Sequence, residues 1–221
     1  AASDVYKRQL METPNAQQSN NEKLKKEAHP TRLLIIPINN PPIFPGMMAP
    51  LVISKSMLTP SLEKIINEND YAGIVLAKDN EETKVSSDDL YTHGTVVKVL
   101  KKVNLPEGDI NLLVHSQKRF KVVDFIQTKA DLFADVKYLD DVIQMDSEQD
   151  AFSRSIISKV KKLSETNPFF TEEMKLAMLN VPSPGALADL VAFSLNLPNK
   201  EAQELLETVD VKDRFKTLSL I

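Results

Sequence analysis

The stretch RLLIIPINNPPIFPGMMAPLVIS, residues 32–54, decides how this chain folds. It begins and ends with apolar runs that predict buried strands, and five prolines together with Gly46 interrupt the part between them. Because proline lacks an amide hydrogen and fixes φ, the stretch cannot form one helix or one central strand. It predicts a strand, a proline-rich loop and a second strand. The loop carries Phe44 and Met47 where polar residues are usual, so we expect it to be buried or to bind a partner.

The composition of the whole chain limits the functions it can have. The chain has 221 residues, a formal net charge of −4 and no cysteine. A slightly acidic chain is not typical of nucleic-acid binding, and no apolar run is long enough for a membrane span or a signal peptide. Without cysteine, disulfides and thiolate chemistry are excluded. We therefore expect a cytoplasmic protein with no nucleic-acid or membrane partner.

The amino-terminal segment is polar and aperiodic. Residues 1–30 contain almost nothing to bury, and they predict a disordered tail. We interpret Met11 as the natural start, which makes residues 1–10 a non-native extension.

Residues 31–140 predict a β-rich domain that contains one short helix. Thr59 suits the N-cap of that helix and Pro60 its first turn. The remaining apolar segments are short, and turns such as residues 105–109 or the polar loop at residues 79–92 separate them. They predict an antiparallel twisted sheet or a partly closed barrel. The strand-like segments are residues 71–78, 93–103, 110–114, 118–127 and 131–138.

Residues 146–221 show only helical periodicity and predict a helical bundle. A long amphipathic helix is expected to begin near residue 146. Short polar side chains precede each later apolar stripe, and such residues cap helices by accepting backbone N–H bonds. The expected caps are Thr171, Ser183, Asn199 and Asp210.

The fold class predicted from these patterns is α+β, with a β-rich domain followed by a helical domain. The final helix is still amphipathic at residue 221, so we expect the chain to be a fragment of a longer protein.

Motifs for catalysis and for cofactor binding are missing from the sequence. Five glycines at scattered positions form no phosphate-binding loop, and no serine lies in a G-x-S-x-G turn. The histidines lie on separate segments, so no metal site is expected. They are His29, His93 and His115.

Two charged groups have an ordinary structural interpretation. Asp88 and Asp89 are adjacent, which directs strand side chains to opposite faces, so we interpret them as solvated loop residues. A basic region is interpreted as the polar outer face of the sheet. It comprises Lys98, Lys101, Lys102, Lys118, Arg119 and Lys121. Two classes of function remain open: a module that binds polypeptide through apolar loops, and a hydrolase whose catalytic residues are dispersed.

Four segments together resemble a known family. IPINNPPIFPGMMAPLVISKS resembles the opening of the amino-terminal domain of the ATP-dependent Lon protease family. DDLYTHGTVVKVLKKVNLPEGDINLLV and KRFKV are similar to its strands, and PGALADLVAFSLNLPNKEAQELLETVDVKDRF to its helical part. The residues that we assign to the family's structural motif are Pro37, Phe44, Pro45, Gly46, Pro50, Leu51, Gly94 and Arg119.

The resemblance implies both a fold and a function. It implies a PUA-like β subdomain and a helical bundle that recognise unfolded or damaged polypeptides for a serine protease that assembles as a homohexamer. ATP and Mg²⁺ would bind to an ATPase domain outside this chain, so no catalytic or cofactor residue is expected here. Ile43, Met47 and Met48 are the expected polypeptide contacts. The alternatives are a stand-alone Lon-domain regulatory protein and a cryptic hydrolase.

The sequence departs from the family's pattern in two places. Ser116 stands in VHSQKR where the family usually has glycine, and it would be strained if that position needed a positive φ. Pro41 and Pro42 replace apolar residues before Phe44, which should stiffen the loop.

Overall fold

The structure is a computed structural model that describes residues 29–78, 86–106, 108–143 and 180–220, with isolated residues between 147 and 178. Residues 31–221 form one compact unit. Its described part contains six strands, which are β1 (Arg32–Ile38), β2 (Met48–Ile53), β3 (Tyr71–Ala77), β4 (Leu90–Asn104), β5 (Ile110–Gln127) and β6 (Leu132–Leu139).

Four α-helices complete the described part. They are α1 (Pro60–Glu68), α2 (Pro184–Ser194), α3 (Asn199–Glu207) and α4 (Val211–Leu220). Short 3₁₀ turns lie at Lys55–Met57 and Ser87–Asp89. The α+β class predicted from the sequence is confirmed.

The six strands form one curved sheet in the order β2–β5–β4–β3–β1–β6. Strand β6 also pairs with the second half of β5, so the sheet bends back on itself. The expectation that all strands are antiparallel is wrong for one pair, because β1 and β3 are parallel. A parallel pair needs a long connection, and β2 and α1 both lie between these two strands in the sequence.

Strand β5 runs without a break from Ile110 to Gln127, where the sequence suggested two strands. The polar residues at its centre were interpreted as a break. One of them, Ser116, is buried and hydrogen-bonded, so it continues the strand. Strand β4 likewise begins at Leu90, inside the segment that was interpreted as a polar loop.

Most predicted helix caps are confirmed. The amide of Leu62 donates to Thr59 Oγ1 at 3.2 Å, and the amides of Lys212 and Asp213 donate to Asp210 Oδ1. The Ser183 side chain likewise accepts from the amide of Ala186. These side chains satisfy backbone groups that a helix leaves unpaired at its start.

Asn199 was wrongly predicted to be a cap. Pro198 takes the capping position, and Asn199 is the first residue of α3. The Asn199 side chain instead donates to the carbonyl of Asn39 at 2.7 Å, which ties α3 to the loop after β1.

Apolar side chains form three clusters. The first cluster packs α1 against the sheet. The second consists of other buried sheet residues, with Phe120 among them. The third joins α2, α3 and α4 and is called the cluster of helices. Phe44, from the proline-rich loop, belongs to the cluster of helices. The loop therefore connects the sheet to the helical part.

Several predictions lie outside the described residues. They concern residues 1–28, the loop at residues 79–85, most of the helix expected from residue 146 and the start of the helix after Thr171. The boundary expected between residues 140 and 146 falls partly in this undescribed region and stays a prediction.

Candidate functional site

Two neighbouring side chains of the proline-rich loop point into different clusters. Ile43 is buried with the sheet residues around α1, and Phe44, which is 1% exposed, is buried among the helices. The carbonyl of Ile43 accepts from Thr95 Oγ1 at 2.9 Å and from Ser116 Oγ at 3.2 Å. Ile43 was predicted to contact polypeptide, but its side chain is a core residue and is not on the surface.

The turn at Pro45 and Gly46 is fixed by backbone bonds to β5. Gly46 has φ 82°, a left-handed conformation that suits glycine. Its amide donates to the carbonyl of Ser116 at 2.8 Å, and the amide of Ser116 donates to the carbonyl of Met47 at 2.9 Å. Ser116 is not among the described residues with a positive φ, so the departure from the family's glycine brings no backbone strain.

After this turn, the side chains of Met47 and Met48 lie in different environments. Met47 is partly buried and packs against both the cluster around α1 and the cluster of helices. Met48 is 62% exposed and begins β2. Of the three predicted polypeptide contacts, Met48 is the one on an open surface.

Met48 belongs to an exposed surface formed by β2, β5 and β4, which we call the outer face. Directly opposed residues on neighbouring strands lie on the same side of a sheet, so the strand register defines three rows. The rows are Met48, His115 and Lys98; Pro50, Leu113 and Lys101; and Val52, Asn111 and Val103.

The outer face combines apolar and cationic side chains. Met48, Pro50, Val52, Leu113 and Val103 are all exposed, with Val52 58% exposed. The next positions along β2, Ala49, Leu51 and Ile53, alternate with them and point inward. A contiguous group of exposed apolar residues on one sheet face is typical of a binding surface.

Strand β2 is also an edge of the sheet, since β5 is its single partner in the described part of the chain. The backbone hydrogen bonds that join Ser116 to Gly46 and Met47 show which backbone groups at the start of β2 face β5. In an antiparallel ladder this pattern repeats every two residues, so the groups of Ala49 face β5 and those of Met48, Pro50 and Val52 face the open edge. Pro50 removes one amide donor from that edge, as proline often does in edge strands.

Other residues of the structural motif have clear packing roles. Pro37 lies in β1 beyond the segment that pairs with β6, so β6 does not need its missing amide. A Cβ on Gly94 would lie 2.2 Å from the carbonyl oxygen of Ile74, so glycine lets β3 and β4 approach there. Leu51 is partly buried and packs on the inner side of the sheet.

Arg119 was predicted to lie on the polar outer side of the sheet, but it is buried. Its guanidinium donates to Asp189 Oδ2 at 2.9 Å, to Asp141 Oδ1 at 3.3 Å and, through Nε, to the carbonyl of Leu206 at 3.0 Å. Arg214 is buried beside it and donates to Asp141 Oδ1 at 2.5 Å. We call Arg119, Asp141, Asp189 and Arg214 the buried ion cluster.

The buried ion cluster joins β5, the segment after β6, α2 and α4. Its two arginines balance its two aspartates. Burial raises the pKa of Asp189, and the charges of Arg119 and Arg214 oppose that change. The sequence interpretation did not identify Asp189 or Arg214. Both are charged residues on an apolar helix face, because Asp189 lies three residues from Ala186 and Ala192, and Arg214 lies three from Val211 and four from Leu218. This spacing is the signal that could have found them.

The histidines and acids of the described part do not form a metal site. No group of three or more potential ligands lies together among the residues that the structure describes. His93 is half-buried, and its Nδ1 lies 3.7 Å from Glu207 Oε1 on α3. Asp88 is exposed, as its interpretation as a solvated loop residue predicted, but Asp89 is partly buried and accepts from the amide of Ser86 in a capping turn.

In the described ranges, no helix is long and apolar enough to cross a lipid bilayer.

The chain is an α+β protein in which a curved mixed sheet with an exposed apolar face packs with a group of helices. Comparisons with known proteins identify its family. The family model described as "ATP-dependent protease La (LON) substrate-binding domain" matches residues 32–221. The chain therefore belongs to the family of Lon substrate-binding domains.

Relatives and solved structures agree with this family. The Lon protease of Leptospira interrogans is 38% identical over 192 residues, which are 86% of this chain and 23% of that protein. The Lon protease of Treponema pallidum is 38% identical over 191 residues, 86% of this chain and 22% of that protein. The chain thus spans less than a quarter of the length of these curated relatives.

Two solved structures share the fold. The amino-terminal domain of the Mycobacterium avium complex Lon protease is 18% identical, with a TM-score of 0.60, and the match covers 85% of this chain and 95% of that one. The Lon amino-terminal domain protein of Xanthomonas campestris is 15% identical, with a TM-score of 0.61 and coverages of 86% and 98%.

Proposed function

We propose that this chain recognises unfolded or damaged polypeptides and binds them through the outer face. The observation that carries this proposal is the group of five exposed apolar side chains in adjacent rows of β2, β5 and β4. Unfolded chains expose apolar residues that folded proteins bury. Removing such surface from water yields about 25 cal/mol per Å², so the outer face favours unfolded partners.

Within a longer protein, the chain would deliver these polypeptides to an ATP-dependent serine protease that acts in the cytoplasm as a homohexamer. Support comes from relatives named Lon protease, of which this chain matches less than a quarter. ATP and Mg²⁺ would then bind outside residues 32–221. The alternative is a stand-alone Lon-domain regulatory protein. The gene sequence beyond the codon for Ile221 separates the two, since a Walker A motif supports the protease and a stop codon supports the regulator.

A matched pair of variants tests the outer face. The double variant Met48→Ser and Val52→Ser removes two exposed apolar side chains from it. Val123→Ser is the control, because Val123 is 70% exposed on β5 outside the outer face. The probe is a reduced and alkylated small protein that cannot refold.

We expect the double variant to bind this probe about tenfold more weakly, which corresponds to about 1.4 kcal/mol. The control variant should bind like the parent chain, and circular dichroism should show that all three are folded. Equal affinity in all three proteins, or an equal loss in both variants, would contradict the proposal.

A further inference from the structure

The outer face carries positive charge but no negative charge. Lys98 and Lys101 lie in adjacent rows on β4, and none of the nine residues in the three rows is acidic. This contrasts with the chain as a whole, whose formal net charge is −4. The local charge of the outer face is therefore opposite to that of the molecule.

The two lysines are placed differently. Lys98 is partly buried, and its Nζ lies 5.2 Å from the centroid of the Tyr71 ring. Lys101 is exposed, directly beside Leu113 in the row that begins with Pro50. No ion pair involving Lys101 is found in the described part of the chain. Its charge is available to a bound partner.

The spacing of the rows fits an extended polypeptide. Outward positions along one strand repeat every two residues, or about 6.7 Å, and an extended chain has the same repeat. Neighbouring strands are about 4.8 Å apart, so the lysines of β4 lie about 10 Å from β2. A segment on this surface can set apolar side chains against Val52 and Leu113 while its carboxylates reach Lys101.

We propose that the outer face selects extended polypeptide segments that combine apolar with acidic residues and rejects apolar segments that are basic. This rests on the proposed function, because it defines the chemistry of the polypeptide that the same surface binds. Complementary charge contributes mainly to specificity, since like charges brought together at an interface disfavour the wrong partner.

Three peptides test this preference. They share one pattern of leucine and phenylalanine residues and carry glutamate, serine or lysine at the positions between them. Each is labelled, and its affinity is measured by fluorescence anisotropy with the parent chain, with Lys101→Glu and with Lys129→Glu. Lys129 is the matched control, because it is exposed in the turn between β5 and β6, at the far end of β5 from the three rows.

We expect the glutamate peptide to bind the parent chain about three- to tenfold more tightly than the lysine peptide at low salt, as one or two exposed ion pairs would give. The difference should shrink at about 0.5 M salt because of screening. Lys101→Glu should remove or reverse the preference, and Lys129→Glu should keep it.

The possible failures are distinguishable. If all three peptides bind the parent chain equally and the variant with Met48→Ser and Val52→Ser weakens them all, the charge preference is wrong and the proposed function stands. The same conclusion follows if Lys101→Glu and Lys129→Glu change the preference equally. If no peptide binds the parent chain, both proposals are overturned.

Discussion

Arg214 Nη1 lies 2.8 Å from Asp189 Oδ1, and the two side chains are 0% and 2% exposed. They belong to α4 and α2, so this ion pair holds two helices together without contact with water. Arg119 of β5 donates to both oxygens of the same carboxylate, which brings the sheet into the same network. The buried ion cluster therefore connects the helical part to the sheet.

Replacing one aspartate of this network should be costly. In Asp189→Asn, two buried guanidinium groups lose a shared negative charge, and an uncompensated buried charge costs about 3–5 kcal/mol. Urea unfolding monitored by circular dichroism measures the loss. Asp213→Asn is the control, because Asp213 pairs with Lys216 at the surface and an exposed pair contributes less than about 1 kcal/mol. Similar losses in the free energy of unfolding for the two variants would show that the buried ion cluster contributes no more to stability than the surface ion pair does.

Phe44 should be critical for stability although it lies in a loop. Phe44→Ala would leave a cavity in the cluster of helices, and truncating a core phenylalanine costs about 3–5 kcal/mol. Met48→Ala, on the outer face, should change stability by less than about 0.5 kcal/mol, as surface substitutions usually do. Thermal and urea unfolding of both variants measure the contrast. A stable Phe44→Ala variant that binds polypeptide poorly would instead make Phe44 a contact residue.

Replacing either of two glycines with alanine should lower the free energy of unfolding, for a different reason in each case. In Gly94→Ala the new Cβ meets a backbone oxygen of β3 at 2.2 Å, so the strands must separate, at a cost near the upper end of the usual range of about 1–3 kcal/mol for overpacking. In Gly46→Ala no atom lies within 4 Å, and only the positive φ is unfavourable, at about 1–2 kcal/mol. Urea midpoints rank the two variants, and Gly46→Ala should be the milder one. The reverse order would mean that the sheet adjusts at Gly94 more easily than the turn does at Gly46.

The stability of the chain should depend on His93 below neutral pH. Burial lowers the pKa of His93 from its ordinary value of 6.5, while Glu207 acts in the opposite direction and Lys121 lowers it further. As the pH falls, the unfolded chain therefore binds this proton before the folded chain does. The contribution of neutral His93 is present above about pH 6.5 and is lost as the pH decreases through the folded-state pKa.

Urea unfolding of the parent chain and of His93→Gln between pH 8 and pH 5 tests this. The parent should lose stability more steeply below pH 6.5 than the variant, and His115→Gln should keep the steeper slope. Parallel curves for the parent and His93→Gln would refute the expectation.

Local patterns in the sequence predicted most individual elements correctly. The cap at Thr59, the strand before Pro37 and the burial of Phe44 depend on neighbouring residues and on apolar content. These signals act within a few residues, so a single sequence reveals them. The α+β class follows from the change of periodicity near residue 146.

The features that were missed depend on distant partners. The parallel pairing of β1 with β3 is decided by where the chain between them can cross, which strand patterns do not specify. Arg119 was assigned to a solvated face because basic residues surround it in the sequence, and its two carboxylate partners are distant. Of the outer face, the sequence predicted Met48 as a contact and Lys98 and Lys101 as polar outer residues. It did not bring them together with the exposed apolar residues, because the three rows form only through the register of three strands.

The contact between the proline-rich loop and the helices has a consequence for synthesis on the ribosome. Phe44 and Arg119 emerge first, but their partners on α2 to α4 follow later, with Arg214 about 95 residues after Arg119. At about 5–20 residues per second, synthesis of this intervening chain takes on the order of 5 to 20 seconds. Until then the Phe44 side chain is exposed and Arg119 lacks its hydrogen-bond partners on the helices. During that interval the growing chain itself presents the kind of unfolded apolar segment that its completed outer face is proposed to bind.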